Sequence, residues 1–121
     1  FTGVLREAKI DIVALCIADT VDFGILRCIV EDPEKTVKIL VENGFSASIS
    51  EVTGVSLEDK PGGLHKVLAV LAEAGIAVNY IYSTIKSAEG KAIIMMKTSD
   101  AAKAEEVLKA SGVELAGADS F

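Results

Sequence analysis

The run EDKPGGLHKV, Glu58–Val67, holds the residues whose types and order could best do chemistry. It follows a strand-like stretch, EVTGVSL, and passes at once into a helix-like one. Pro61 fixes φ where the helix enters, and Gly62 and Gly63 let a ligand come close to the backbone. A helix start also presents unpaired N–H donors with a partial positive charge, which suits a carboxylate or a phosphate. The pattern GxxxxGK[ST] is absent, with Lys60 preceding the glycines, and so is GxGxxG; neither nucleotide cradle is matched. Taken alone, Pro-Gly-Gly is a weak signal, and a tight connection that binds nothing is the favoured reading of it. If a ligand does sit there, Gly63→Val should fill its approach path with modest loss of stability, and Asp59 is a candidate cap for the helix.

Little else points to catalysis. The single histidine, His65, lies in the first turn of a helix among polar neighbours, where a solvated side chain is the ordinary outcome. No HExxH or paired CxxC offers a metal site, and no cofactor motif is present. Carboxylates such as Glu105 and Glu106 fall on helix faces, where solvation accounts for them. Tyr80 and Tyr82 stand two apart on a strand and read as core or interface. Arg27 is a fixed charge within the apolar run ILRCIV and requires a carboxylate or solvent beside it. We therefore expect no enzyme.

Composition sets the frame for these residues. Half of the 121 residues are hydrophobic, enough for a real core in one compact domain or two very small ones. A net charge of −6 argues against nucleic acid or an anionic membrane as partner. No run is long and apolar enough to span a bilayer, and FTGVLREAKID carries charge where a signal peptide would be apolar. Cys16 and Cys28 could pair, but both lie in apolar strand-like runs and read as buried thiols of a cytoplasmic protein.

The elements that must position the turn are legible as a repeat. Leu64, Val67, Leu68 and Leu71 fall on one helical stripe, which ends near Gly75. IAVNYIYSTI, a polar turn KSAEGK and AIIMMKT read as a hairpin. SDAAKAEEVLKAS is a second helix capped by Ser99 or Asp100, and VELAG is a closing strand. The order is strand, helix, strand, strand, helix, strand. The first half repeats it: Asp32, Lys35, Leu40 and Gly44 match Asp100, Lys103, Leu108 and Gly112, and Ile10 matches Ile76. Pro33 after Asp32 is a helix start. The predicted fold class is α+β, two ferredoxin-like βαββαβ units with antiparallel sheets and helices on one face, spanning residues 1–50 and 51–121.

The first copy begins in mid-helix and lacks an equivalent of EVTGVSLEDKPGGL, so we expect roughly 15 to 20 further residues upstream, by the length of the second copy. A strand donated by a neighbouring chain is the alternative. Strict alternation from Ile10 would place Ile12, Ala14, Cys16 and Ala18 on one face and Asp11, Val13, Leu15, Ile17 and Asp19 on the other. The middle of both faces is then apolar, and a twin sheet in a homodimer is the expected cover.

The residues VSLEDKPGGLHKVLAVLAEAGIAVNYIYS resemble the opening of an ACT domain, the ferredoxin-like regulatory module that typically binds amino acids. CIADTVDFGILRCIVEDPEKTVKIL is similar to the first unit of small stand-alone tandem ACT proteins. The resemblance implies ligands held between a strand–helix loop of one unit and the second strand of its neighbour. Carried over, the loop is Asp59, Pro61, Gly62, Gly63 and Leu64. The family often has Asn one residue past the Ile that opens the second strand; here that position is Asp11 in the first copy and Ala77 in the second. Asp11 would meet the ligand's ammonium, and Asn79 would serve the other site. The implied ligand is a free amino acid. The alternative is a subunit that docks on an enzyme of amino-acid metabolism and binds no ligand.

Overall fold

The computed structural model describes residues 1–19, 21–84 and 90–117. The chain divides into two compact units, Phe1–Ser50 and Glu51–Phe121. The first holds α1 (Thr2–Glu7), β1 (Ile12–Asp19), β2 (Gly24–Val30) and α2 (Pro33–Glu42). The second holds β3 (Thr53–Glu58), α3 (Gly63–Glu73), β4 (Val78–Ser83), β5 (Lys91–Thr98), α4 (Ala101–Ala110) and β6 (Glu114–Ala116). The polar turn read at KSAEGK lies mostly outside the described residues.

The second unit is a complete βαββαβ module. Its sheet runs β4-β5-β3-β6, antiparallel throughout, with β3 bonded on both edges. Cross-strand partners assign the faces. Val55, Ile94 and Leu115 share the helix side, where Val55 and Met96 pack with Val67, Leu71, Ala104 and Leu108 in one apolar cluster. The opposite face carries Ser56, Glu58, Lys91, Glu114 and the stacked ring pair Tyr80–Tyr82. The helical stripe is turned relative to the expected one. Val67 and Leu71 are buried, with Val70 and Ala74 beside the cluster, whereas Leu64 and Leu68 are exposed. A helix lying on a sheet buries only the sector beneath it, and spacing alone left that sector undetermined by about one residue.

The first unit repeats the local devices of the second. Asp32 and Asp100 cap α2 and α4 in the same way, accepting from the Lys35 and Lys103 N–H groups at 3.1 and 3.0 Å. Ser99, the other cap candidate, instead accepts the Ala77 N–H with its hydroxyl at 3.1 Å and so fastens the approach to β4. Among the described residues all four helices close with one bond type: Ile10 to Leu5, Phe45 to Leu40, Ile76 to Leu71 and Val113 to Leu108, each from N–H to carbonyl. Glycine takes the left-handed position after three of these helices, at Gly44, Gly75 and Gly112. After α1 the same place is held by Lys9, with φ of 55°.

Strict alternation in β1 does not hold. Ile12 pairs with Val30 but Ala14 with Ile29, a bulge that leaves Val13 as the extra residue, and Val13 and Ala14 are both buried. The same irregularity recurs between Val78 and Tyr80, so the bulge belongs to the repeat. Beyond it, Leu15 faces the same side as Cys28, and Ile17 the same side as Leu26. Cys28 and Leu26 correspond to Met96 and Ile94, so Leu15 and Ile17 belong to the helix-side face rather than the one expected to meet a twin sheet. Among the described residues the first unit has no strand corresponding to β3, and its sheet is β1-β2 alone. Ile25 to Cys28 are accordingly more exposed, position by position, than Ile93 to Met96.

Cys16 lies opposite Arg27 and Cys28 opposite Leu15, which puts the two free thiols on opposite faces of the ribbon. Both are half-buried rather than buried, and burial raises the Cys28 thiol above its ordinary pKa. Side chains that point apart cannot be bridged without moving the backbone.

Lys9 pays a left-handed penalty that its three glycine counterparts avoid. Lys9→Gly should raise unfolding stability by about 0.5–1 kcal/mol, the left-handed cost less the entropy of an added glycine, as read by urea denaturation. A loss of stability would mean that the Lys9 side chain contributes more than its backbone costs.

Candidate functional site

Four residues, Asp59 to Gly62, carry the chain from the end of β3 to the start of α3. The Asp59 N–H bonds to the Gly90 carbonyl, Lys60 to Glu58 and Gly63 to Lys60, at 2.9, 2.9 and 3.1 Å. These bonds fold the turn back on the strand end. Gly62 sits at the N-cap with φ of 89°, a region open to glycine at little cost. No side chain caps this helix, so Asp59 does not fill the role that Asp32 and Asp100 fill elsewhere. Lys66 N–H bonds to the Gly62 carbonyl, while among the described residues the Leu64 and His65 N–H groups have no backbone acceptor.

The two glycines do different work. A Cβ on Gly62 would meet nothing within 4 Å. A Cβ on Gly63 would lie 2.5 Å from the Glu58 carbonyl oxygen and 3.4 Å from Leu57 Cδ1. Gly63 is therefore the close-packing residue that lets the helix start against the strand, and Gly62 is the one facing open space. The expectation that Gly63→Val would act mainly on a ligand path is corrected by this contact.

A groove of about 490 Å³ opens beside the turn, wholly within the second unit. It is lined by Lys60, Pro61, Gly62 and Gly63 of the turn, by Ser56, Glu58 and Lys91 of the sheet, and by Gly112 to Glu114. Lys66 and Val67 of α3 also line it. Asp59 and Leu64 belong to the turn and the helix start but not to this lining, and His65 is exposed outside it. Asn79 is exposed at the bulge of β4, with β5 between its strand and β3. Asp11 lies in the first unit, immediately before β1. Of the residues singled out in the sequence, the groove thus gathers Pro61, Gly62 and Gly63.

Sequence reasoning missed the charged lining. Glu58 pairs with Lys60, and Lys91 with Glu114 at 2.6 Å. The hydrogen bond and then the charge of Lys60 hold the Glu58 carboxyl below its ordinary pKa, with lesser help from Lys66 and Lys91. The hydrogen bond that Lys91 donates to Glu114, followed by the charge of that carboxylate, raises Lys91. The Glu58 contribution to stability is therefore present at neutral pH and lost as pH falls through the acid range. That of Lys91 is lost only as pH rises through the alkaline range. Both pairs are exposed and screened by water, so their use is to fix the charge pattern across neutral pH rather than to hold the fold. Among the described residues no group of acidic, histidine and cysteine side chains could hold a metal ion, and no helix is long and apolar enough to cross a membrane.

Two ferredoxin-like units in tandem, with a glycine turn at the strand–helix junction of the complete one, define a paired small-domain protein. The family model for the ACT domain pair matches residues 2–119, and the chain belongs to that family. Among solved structures it is similar to protein BT0572 from Bacteroides thetaiotaomicron, at 41% identity and a TM-score of 0.90, over 98% of this chain and 81% of that one. It is also similar to prephenate dehydratase from Streptococcus mutans, at 20% identity and a TM-score of 0.44, over 96% of this chain and 62% of that one. No curated protein matched.

Gly63→Ala should cost about 1–3 kcal/mol, because the backbone of β3 must shift to admit the methyl group. Chemical denaturation of the variant checks this, and an unchanged midpoint would show that the junction can relax freely.

Proposed function

We propose that this protein is a regulatory amino-acid-binding module, with the ligand's carboxylate held at the turn between β3 and α3. One observation carries the reading: an uncapped helix start behind Gly62, opening on a groove of about 490 Å³. Backbone donors at such a start favour an anion without needing a counter-charge of their own. Membership of the ACT domain pair family supports it, since ACT domains are in general regulatory modules that bind amino acids.

A thermal-shift screen over the amino acids is the first test. A ligand at about 100 times its dissociation constant adds about 2.7 kcal/mol of stability. Gly62→Asn should then weaken binding at least tenfold in calorimetry, at a cost in stability of about 1 kcal/mol for a side chain in a left-handed backbone. Asparagine tolerates a left-handed backbone, and its side chain enters the open space before the turn. Equal affinity in wild type and variant would move the site elsewhere. Asp11→Ala is the second arm: a loss of about 1.5–3 kcal/mol would give Asp11 the ammonium, as the resemblance implies. Unchanged affinity would confine the site to the second unit. No stabilising amino acid at millimolar concentration would favour the other reading, a subunit that docks on a metabolic enzyme without a ligand.

We also propose that the protein works as a homodimer. The support is the helix-side face of β1 and β2, not the face expected to meet a twin sheet: its Leu15, Ile17 and Leu26 are 39, 67 and 37% accessible. Leu15→Glu should convert a dimer into a monomer by light scattering. A monomeric wild type would end this part of the proposal.

A further inference from the structure

We infer that the amino acid taken by the groove is one with a second carboxylate on its side chain, and that Lys66 is the residue that selects it. The inference rests on the reading that the turn holds an amino acid, and it adds the class of ligand. The chain as a whole carries a net charge of −6, yet the groove lining reverses that sign. Three lysines, Lys60, Lys66 and Lys91, face two glutamates, Glu58 and Glu114, leaving one positive charge in excess. The pairing within the lining says which lysine is in excess. Lys60 is engaged by Glu58 and Lys91 by Glu114. Among the described residues, Lys66 has neither a hydrogen-bonded nor an ion-paired carboxylate, and it touches Glu58 only through a weaker field than that of Lys60.

An amino acid with a neutral side chain brings no net charge to this lining and leaves Lys66 unanswered. An acidic amino acid brings one net negative charge, which complements the excess. Its α-carboxylate would use the backbone donors, its side-chain carboxylate would reach Lys66, and its ammonium would find acceptors in the two glutamates. Lys66 is the fourth residue of α3, so the lysine and the N–H donors stand on one helix end and are held in fixed relation to each other. A positive excess at one groove of an otherwise acidic surface also draws anions to that place, with a dependence on ionic strength.

The test uses the full chain in calorimetric titrations of L-glutamate and L-aspartate against L-glutamine and L-asparagine at matched sodium concentration and pH. The acidic pair should bind at least about tenfold more tightly than the amides. Lys66→Met keeps the aliphatic stem and removes the charge, so it should bring the glutamate-to-glutamine ratio close to one. Lys66→Arg should preserve the ratio. Amides binding as tightly as acids, or a ratio untouched by Lys66→Met, would overturn the assignment while leaving amino-acid binding standing. Failure of every amino acid to bind would remove both. Because Lys66 is exposed, loss of folding does not enter the comparison.

Discussion

The second unit depends on one close approach, that of Gly63 to the carbonyl of Glu58. With no side chain at Gly63, α3 can begin directly against the end of β3. Only then do Val67 and Leu71 come down over Val55 and Met96, and only then can α4 bring Ala104 and Leu108 into the same cluster. The contact places the helix start at the rim of the sheet instead of over its middle. Packing and the proposed recognition therefore share a single steric condition, one that a methyl group would violate.

The repeat was legible because its signals are local. Asp32 and Asp100 precede their helices at the same spacing, Gly44 and Gly112 end them, and each signal acts within a few residues of its own position. What depends on neighbours was not legible. The bulges at Ile12–Ala14 and Val78–Tyr80 alter the pleat only because the partner strand continues regularly, and β1 read alone looks like unbroken alternation. That one inserted residue reversed the sides assigned to Leu15 and Ile17. Lys9 in a left-handed conformation carried no signal at all, since the turn there is imposed by the Ile10–Leu5 bond and not by the residue that occupies it.

The candidate site divides along the same line. Its turn could be read from Pro61, Gly62 and Gly63, whose backbone preferences are properties of the residues themselves. Its charges could not. Lys91 reaches the groove because register sets it opposite Glu58, and Glu114 because register sets it opposite Ser56. Both pairings follow from where two distant strands meet β3. Lys66 is the exception, close in sequence to the turn, and was overlooked because a lysine on a helix is usually a solvated one.

The placement of Cys16 and Cys28 on opposite sides of a two-stranded ribbon has a consequence for how the protein ages in air. A thiol pair that cannot close on itself has no harmless intramolecular product to fall into. Each sulfur that oxidises must find its partner on another molecule, and a molecule with two such sulfurs facing opposite ways is a bifunctional linker. Prolonged exposure to oxygen would join such molecules to one another, and burial, which raises the Cys28 thiol, slows the part that this sulfur takes in the reaction.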